Sequence, residues 1–175
     1  MTKKYFVIIF IILGFQSCQV SRDSYFFTIY LIRHSEKEMN SNDIVDPPLT
    51  PCGVQRSESI SSFLNDIRIS KIYSTNYKRT MSTATPTSLS KKLEIINYEE
   101  NNLEALSEKL IEAKQDALVV GHSHTTGVLA GLLVDKEIGE MDLDVYNRIY
   151  QVVFYKKKGH LHLLHSAFLC SDSIN

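Results

Sequence analysis

The stretch Tyr25-Phe-Phe-Thr-Ile-Tyr-Leu-Ile32 is followed directly by Arg33-His34, and this segment decides the fold. Its β-branched and aromatic residues predict a buried strand. A guanidinium and an imidazole then follow at the place where the strand ends. We therefore expect Arg33 and His34 to stand at the carboxyl end of a central strand.

Two further strand-like segments are also followed by cationic or histidine residues. Lys71-Ile-Tyr-Ser74 precedes Arg79, and Ala117-Leu-Val-Val120 precedes His122. Helix-like segments alternate with these strands, which predicts an α/β fold: a three-layer αβα sandwich with a mostly parallel central sheet. Ligands of such sheets bind beyond the carboxyl ends of the strands. Three strand ends would therefore direct cationic side chains into one crevice.

Local signals predict the remaining elements. Thr50-Pro51 is a helix start, with Thr as the N-cap and Pro at the first helical position. A second helix is expected from Tyr77 onwards, interrupted or restarted near Pro86. The other predicted elements are a strand over Leu93–Tyr98, an amphipathic helix over Leu103–Ile111, an apolar helix over Val128–Val134 and a closing hairpin over 152–168.

Length and composition favour a single globular domain, which we assign to residues 25–170. The chain has 175 residues, of which 43% are hydrophobic and 22% charged. The formal net charge is −1, so no global basic field indicates nucleic acid as a partner. Binding of an anion would have to come from a local cluster of cations.

The N-terminus predicts export. Two lysines precede the uncharged apolar run Tyr5–Phe15, which is short for a bilayer span and suits a secretory signal. Ser17 and Cys18 then resemble a bacterial lipoprotein cleavage box. We expect residues 1–18 to be a signal peptide or lipoprotein signal and residues 19–24 a tether. The domain would then lie in the cell envelope, lipid-anchored through Cys18 in the periplasm or at the cell surface; an uncleaved anchor helix is the alternative.

Cys52 and Cys170 remain once Cys18 is set aside. They could pair in an oxidising compartment, but two cysteines form no framework pattern. The sequence therefore favours free thiols.

The cluster at the strand ends suits phosphoryl transfer. That reaction needs a nucleophile and fixed positive charge around the phosphoryl oxygens. Neutral imidazole is a good nucleophile near neutral pH, and guanidinium matches phosphate through paired hydrogen bonds.

Four motifs, in order along the chain, together resemble the histidine phosphatase superfamily. They are Leu31-Ile-Arg-His-Ser-Glu-Lys37 with Ser35 in place of the usual Gly, Leu49-Thr-Pro-Cys-Gly53, the segment Ile72–Ala84 around Arg79, and Val119-Val-Gly-His-Ser-His-Thr125. The resemblance covers about 29–134, and the short chain is similar to the compact branch that includes the small phosphohistidine phosphatases.

The resemblance implies a role for each matching residue. His34 would be the nucleophile and form a phosphohistidine, while Arg33 and Arg79 would bind the phosphoryl oxygens. His122, protonated, would stabilise the same charge. The resemblance implies no metal and no organic cofactor. The substrate would be a phosphorylated small molecule or a phosphoprotein.

The proton donor is less well defined. The family places a carboxylate before the second histidine motif, where this chain has Glu99 and Glu100. We favour Glu99, and Glu36 is an alternative because it is close to the nucleophile. Asn40 occupies a position where some members bind phosphate.

The sequence is also compatible with a phosphate-recognising domain, a serine hydrolase or a metal site. A domain that recognises phosphate without turnover would fit Ser35 and the undefined acid. A serine hydrolase using Ser123 would fit the turn after a strand, but Thr125 stands where its second Gly should be. His122 with His124, or His160, His162 and His165, could be metal ligands. For the second set, solvent-facing histidines on an edge strand are the simpler interpretation, and for His124 a hydrogen-bonding role near the pocket is.

Overall fold

The computed structural model describes residues 26–170, and the predictions for residues 1–18 and 19–24 lie outside that part of the chain. Six strands and four helices form the described domain. In chain order they are β1 Phe27–Arg33, α1 Pro51–Phe63, β2 Lys71–Ser74, α2 Lys78–Lys91, β3 Ile95–Asn97, α3 Leu103–Ala113, β4 Ala117–Gly121, α4 Ser123–Val134, β5 Arg148–Tyr155 and β6 Lys158–His165.

The strands form one mixed sheet in the order β3-β2-β4-β1-β5-β6. The first four are parallel, whereas β5 and β6 add an antiparallel hairpin at one edge. Arg33 pairs with Gly121, and Ser74 pairs with Val120. The carboxyl ends of β1, β2 and β4 therefore meet at one edge of the sheet. The predicted α/β sandwich with a mostly parallel sheet is confirmed.

Alternation along β1 explains why helices cover both faces of the sheet. Ile29 and Leu31 pack into a cluster with side chains of α3 and α4, whereas Tyr30 and Ile32 pack into a second cluster with side chains of α1 and α2. Successive side chains of a strand point to opposite faces. A central strand buried on both faces must therefore be mostly apolar, as this one is between the half-buried Thr28 and the terminal Arg33.

The start of α1 is fixed to the loop that follows β1. Thr50 Oγ1 accepts a hydrogen bond from the Gly53 amide at 3.0 Å, and the Thr50 amide donates to the Glu36 carbonyl at 2.9 Å. A Cβ on Gly53 would overlap the Glu36 carbonyl. The predicted start at Thr50-Pro51 is confirmed, and Gly53 lets α1 approach the loop that carries the nucleophile candidate.

The predicted interruption of α2 near Pro86 is wrong. The helix runs continuously from Lys78 to Lys91 with Pro86 inside it. Proline leaves the carbonyl four residues earlier without its helical hydrogen bond. That residue is Ser82, which is exposed, so water can solvate its carbonyl.

Cys52 and Cys170 are paired in a disulfide, which corrects the expectation of free thiols. Their Cα atoms lie 5.6 Å apart, and 118 positions separate them in the sequence. The bond joins the first turn of α1 to the C-terminal segment. Arg56 supports the same contact, because its Nη1 donates to the Phe168 carbonyl at 3.1 Å.

The C-terminal hairpin lies at the open edge of the sheet. Lys156 and Lys157, both with positive φ, form its two-residue turn, as tight hairpins require. The histidines of β6 are exposed, which fits the solvent-facing interpretation. Among residues 26–170, no helix combines the length and apolar character needed to cross a membrane.

Candidate active site

A pocket of about 280 Å³ opens at the carboxyl ends of β1, β2 and β4. Its lining residues are Arg33, His34, Lys37, Met39, Arg79, His122, Ser123, His124, Leu143 and Tyr146. Larger depressions occur elsewhere, such as one of about 600 Å³ around Phe27 and Phe154 at the opposite end of β1. The chemistry-bearing side chains converge only on the smaller pocket, so we assign the site there.

His34 is buried and has one ring nitrogen directed into a defined hydrogen bond. Nδ1 lies 2.7 Å from the Ser35 carbonyl oxygen. A carbonyl only accepts, so we assign the proton to Nδ1, which leaves the lone pair on Nε2. Burial is the main cause that lowers the pKa of His34 to about 3. The ring is therefore neutral at physiological pH, as a nucleophile must be.

Arg33 is clamped by the loop between α4 and β5. Its Nη1 donates to the Leu143 carbonyl at 2.7 Å and to the Val145 carbonyl at 3.2 Å. The guanidinium carbon lies 4.1 Å from the centre of the Tyr146 ring, whose hydroxyl is 3.3 Å from Nη2. The loop thus sets the orientation of Arg33 and forms one wall of the pocket.

Arg79 enters the pocket from the first turn of α2. Its Nη1 lies 3.5 Å from Asp46 Oδ1, and its guanidinium carbon lies 4.3 Å from the Tyr77 ring centre. The Nε atoms of Arg79 and Arg33 are both buried without a hydrogen-bond partner in the described chain. The two guanidinium groups line the same pocket and carry fixed positive charge, which suits an anionic ligand.

His122 faces His34 across the pocket, with the ring centres 5.5 Å apart. Its Nε2 lies 2.9 Å from Thr75 Oγ1 and 3.1 Å from Glu100 Oε2. Burial, followed by the charges of His34 and Arg79, lowers the pKa of His122 to about 3. The lowered pKa disfavours the expected protonated ring, and a bound phosphoryl dianion would favour it.

The carboxylates differ in where they lie. Glu100 contacts His122, whereas Glu99 is exposed and only its backbone carbonyl accepts a bond, from Asn102. Glu36 is engaged by Arg56, whose Nε lies 2.8 and 2.9 Å from the two carboxylate oxygens. Of the three candidates, the structure places only Glu100 in contact with a histidine of the pocket, His122.

The structure also places three other residues considered in the sequence analysis: Ser35, Asn40 and Ser123. The amide of Ser35, which replaces the usual Gly, donates to Thr83 Oγ1 at 3.0 Å. That bond ties the loop after β1 to α2. Asn40 is exposed and does not line the pocket. Ser123 does line it, but among residues 26–170 no histidine hydrogen-bonds to its hydroxyl, so the serine-nucleophile alternative has no base.

Three site residues were missed from the sequence. Lys37 lines the pocket, Tyr146 holds Arg33, and Thr75 contacts His122. Lys37 and Thr75 lie inside two of the four motifs, and that position was the sequence feature that could have indicated them. The segment Asp135–Tyr150 was expected to line or cap one side of the crevice, but no local pattern indicates that its Tyr146 would hold Arg33.

Two histidines and two arginines at the strand ends of this αβα sheet define a domain of the phosphoglycerate mutase-like type. The predicted resemblance is confirmed over residues 29–102, which the model of the histidine phosphatase superfamily, branch 1, matches.

Solved structures share the fold. The protein histidine phosphatase SixA complexed with tungstate has 18% identity and a TM-score of 0.69, covering 80% of this chain and 97% of that one. An α-ribazole-5′-P phosphatase from Escherichia coli has 15% identity and a TM-score of 0.68, covering 83% and 99%. Phosphoglycerate mutase from Bacillus anthracis has 17% identity and a TM-score of 0.57, covering 81% and 94%. No curated protein matches the sequence significantly.

Proposed function

We propose that the protein is a phosphatase that hydrolyses phosphate monoesters through a phosphohistidine on His34. The observation that carries this proposal is the neutral His34 ring with Nδ1 held by the Ser35 carbonyl and Nε2 available to a pocket that contains Arg33 and Arg79. This is the arrangement that a nucleophile and a phosphate cradle require.

The reaction has two steps. The lone pair of His34 Nε2 attacks phosphorus, the bond from phosphorus to the leaving oxygen breaks, and that oxygen takes a proton. Water then attacks the phosphorus of the phosphohistidine, and the bond from phosphorus to Nε2 breaks. The proton of that water returns to the group that protonated the leaving oxygen, so phosphate is released and the neutral ring is restored. Arg33 and Arg79 stabilise the charge on the phosphoryl oxygens in both steps. We place the leaving-group proton on the pair formed by His122 and Glu100, since these groups contact each other beside His34.

The test is phosphate release from phenyl phosphate by the wild type and by His34→Ala. We expect the variant to lose at least about 10³-fold in rate, because the covalent step is removed. His165→Ala, on the exposed edge of β6, is the matched control and should retain wild-type activity. Equal slow release by wild type and His34→Ala would overturn the proposal. Phosphate binding without hydrolysis across a substrate panel would instead favour a recognition domain.

We also propose that the domain is exported and held at a bacterial membrane by lipid on Cys18. The apolar run before Cys18 supports this, and so does the disulfide, since disulfides persist in oxidising compartments. Phe27 begins β1 and Arg33 ends it, so a tether at Phe27 leaves the pocket at the far edge of the sheet. Cys18→Ser should release the protein from the membrane fraction; unchanged fractionation would contradict the anchor.

A further inference from the structure

Lys37 brings a third cationic side chain to the pocket. It lies three positions after His34 and lines the pocket together with the catalytic residues. Lys37 also lines an adjoining groove of about 120 Å³, whose other walls are Glu38, Met39, Ser41, Ile44 and Pro47. Lys37 and Met39 are therefore shared by the reaction pocket and the groove beside it.

The ammonium of Lys37 differs from the other cations near the site. Arg33 is held by backbone carbonyls, Arg79 lies beside Asp46, and Arg56 is paired with Glu36. Lys78 is likewise paired with an acid, Asp43. Within residues 26–170 the Lys37 ammonium has no hydrogen bond, ion pair or ring contact. A half-buried cation at the rim of a pocket, left without a protein partner, is available to a ligand.

Among the described cations that line the pocket, only Lys37 also lines the groove. Arg33 and Arg79 lie in the pocket with His34 and would bind the reacting phosphoryl group. Lys37 borders both spaces, so it can meet the part of the substrate that extends from the phosphoryl group into the groove. Met39 and Ile44 give that groove apolar walls for a carbon skeleton. An ammonium is a compact point charge that suits a single carboxylate or phosphate.

We propose that Lys37 binds a second anionic group, a carboxylate or a phosphate, carried by the leaving group of the substrate. The preferred substrate is then a phosphate monoester with a further anion on its organic part. This inference rests on the proposed phosphatase function and adds the class of substrate to it. The reacting phosphoryl group itself remains with His34, Arg33 and Arg79.

Matched substrates isolate the second anion. Phenyl phosphate and meta-carboxyphenyl phosphate share the aryl ring and differ in one carboxylate; glucose phosphate and glucose bisphosphate differ in one phosphate. We expect Lys37→Met to raise KM for the two doubly anionic substrates by about tenfold or more, the effect of losing one charge-assisted hydrogen bond. For phenyl phosphate the rise should be smaller than about threefold, because that substrate lacks the partner.

Further variants separate binding from a general effect of charge. Lys37→Arg should retain most of the preference for a second anion. Lys158 is an exposed lysine at the start of β6, and Lys158→Met should leave KM unchanged for both members of each substrate pair. An equal loss on both members of a substrate pair would place Lys37 at the reacting phosphoryl group and overturn the inference. Absence of any loss would overturn it too.

A binding measurement keeps this inference distinct from the phosphatase proposal. If the wild type fails to hydrolyse phenyl phosphate, the phosphatase proposal fails, and calorimetry with the same substrate pairs still tests Lys37. Selective weakening of the doubly anionic ligands in Lys37→Met supports the subsite, whereas equal weakening of both refutes it. If the wild type hydrolyses every substrate and Lys37→Met has no selective effect, only the subsite fails.

Discussion

Glu100 Oε2 lies 3.1 Å from His122 Nε2, and Glu100 Oε1 accepts a hydrogen bond from the Tyr77 hydroxyl at 3.1 Å. The carboxylate is thus held from one side by a tyrosine while it contacts the second catalytic histidine from the other. His124 stacks on His122 and places its Nε2 3.6 Å from the same oxygen. We therefore predict that Glu100 is the acidic group that supplies a proton to the pocket.

Glu100→Gln should impair substrates whose leaving group needs a proton. We expect kcat for an alkyl phosphate to fall by about 10²-fold, within the usual range for general acid catalysis. Hydrolysis of p-nitrophenyl phosphate, with its good leaving group, should fall by less than about tenfold. Glu99→Gln is the matched control on the neighbouring residue. Equal losses of kcat on both substrates would exclude Glu100 as the donor of the leaving-group proton, and a loss confined to Glu99→Gln would restore the sequence-based choice.

Tyr146 should act as a positioning residue for Arg33. Tyr146→Phe removes the hydroxyl at 3.3 Å from Nη2 but keeps the ring below the guanidinium, so we expect KM for phenyl phosphate to rise by only a few-fold, as for one neutral hydrogen bond. Tyr146→Ala also removes the cation–π contact and should raise KM by about tenfold. Steady-state kinetics check both changes, and a variant that alters kcat alone would contradict a role in phosphate binding.

Most of the scaffold could be predicted from local sequence. The buried run of β1, the Thr50 cap and the strand at Lys71–Ser74 follow from side-chain periodicity and turn chemistry, and these agree with the structure. The convergence of His34, Arg33 and Arg79 on one crevice followed from their places after strands, whereas their expected roles came from the family resemblance. Each of these inferences uses residues that are close in sequence, where local physical rules apply.

The contacts that could not be predicted join distant segments. Arg33 meets Tyr146 across 113 positions, and Cys52 meets Cys170 across 118. The choice between Glu99 and Glu100 depends on the path of the chain after β3. Glu99 is exposed, whereas the next residue, Glu100, contacts His122. Side-chain direction in an irregular segment is set by packing, which no periodicity encodes.

The stability of the protein should fall in acid because of its two buried histidines. The folded-state pKa values of His34 and His122 are about 3, below the ordinary value of 6.5. Above pH 6.5 both the folded and the unfolded chain keep these rings neutral, and their contribution to stability is complete. Between pH 6.5 and 3 the unfolded chain binds protons that the folded chain excludes, so the free energy of unfolding decreases.

The slope is measurable by urea denaturation at a series of pH values. Each histidine contributes up to about 1.4 kcal/mol per pH unit within that window. His34→Gln should remove its share and flatten the curve, whereas His165→Gln, on the exposed edge strand, should leave the slope as in the wild type. An unchanged slope in His34→Gln would show that the ring is protonated in the folded protein.

The disulfide should make a large contribution to stability. Cys52 and Cys170 close a loop spanning 118 positions, and a cross-link of that span restricts the unfolded chain strongly. Replacing both by Ser should lower the free energy of unfolding by about 2–4 kcal/mol, measured by denaturant titration without reductant. Adding reductant should lower the wild type towards the variant and leave the variant unchanged.

Loss of the disulfide should also reduce kcat/KM. The bond holds the C-terminal segment against Arg56, and Arg56 pairs with Glu36, which lies two positions after His34. A wild type that is insensitive to reductant, with both thiols open to alkylation, would contradict the pairing.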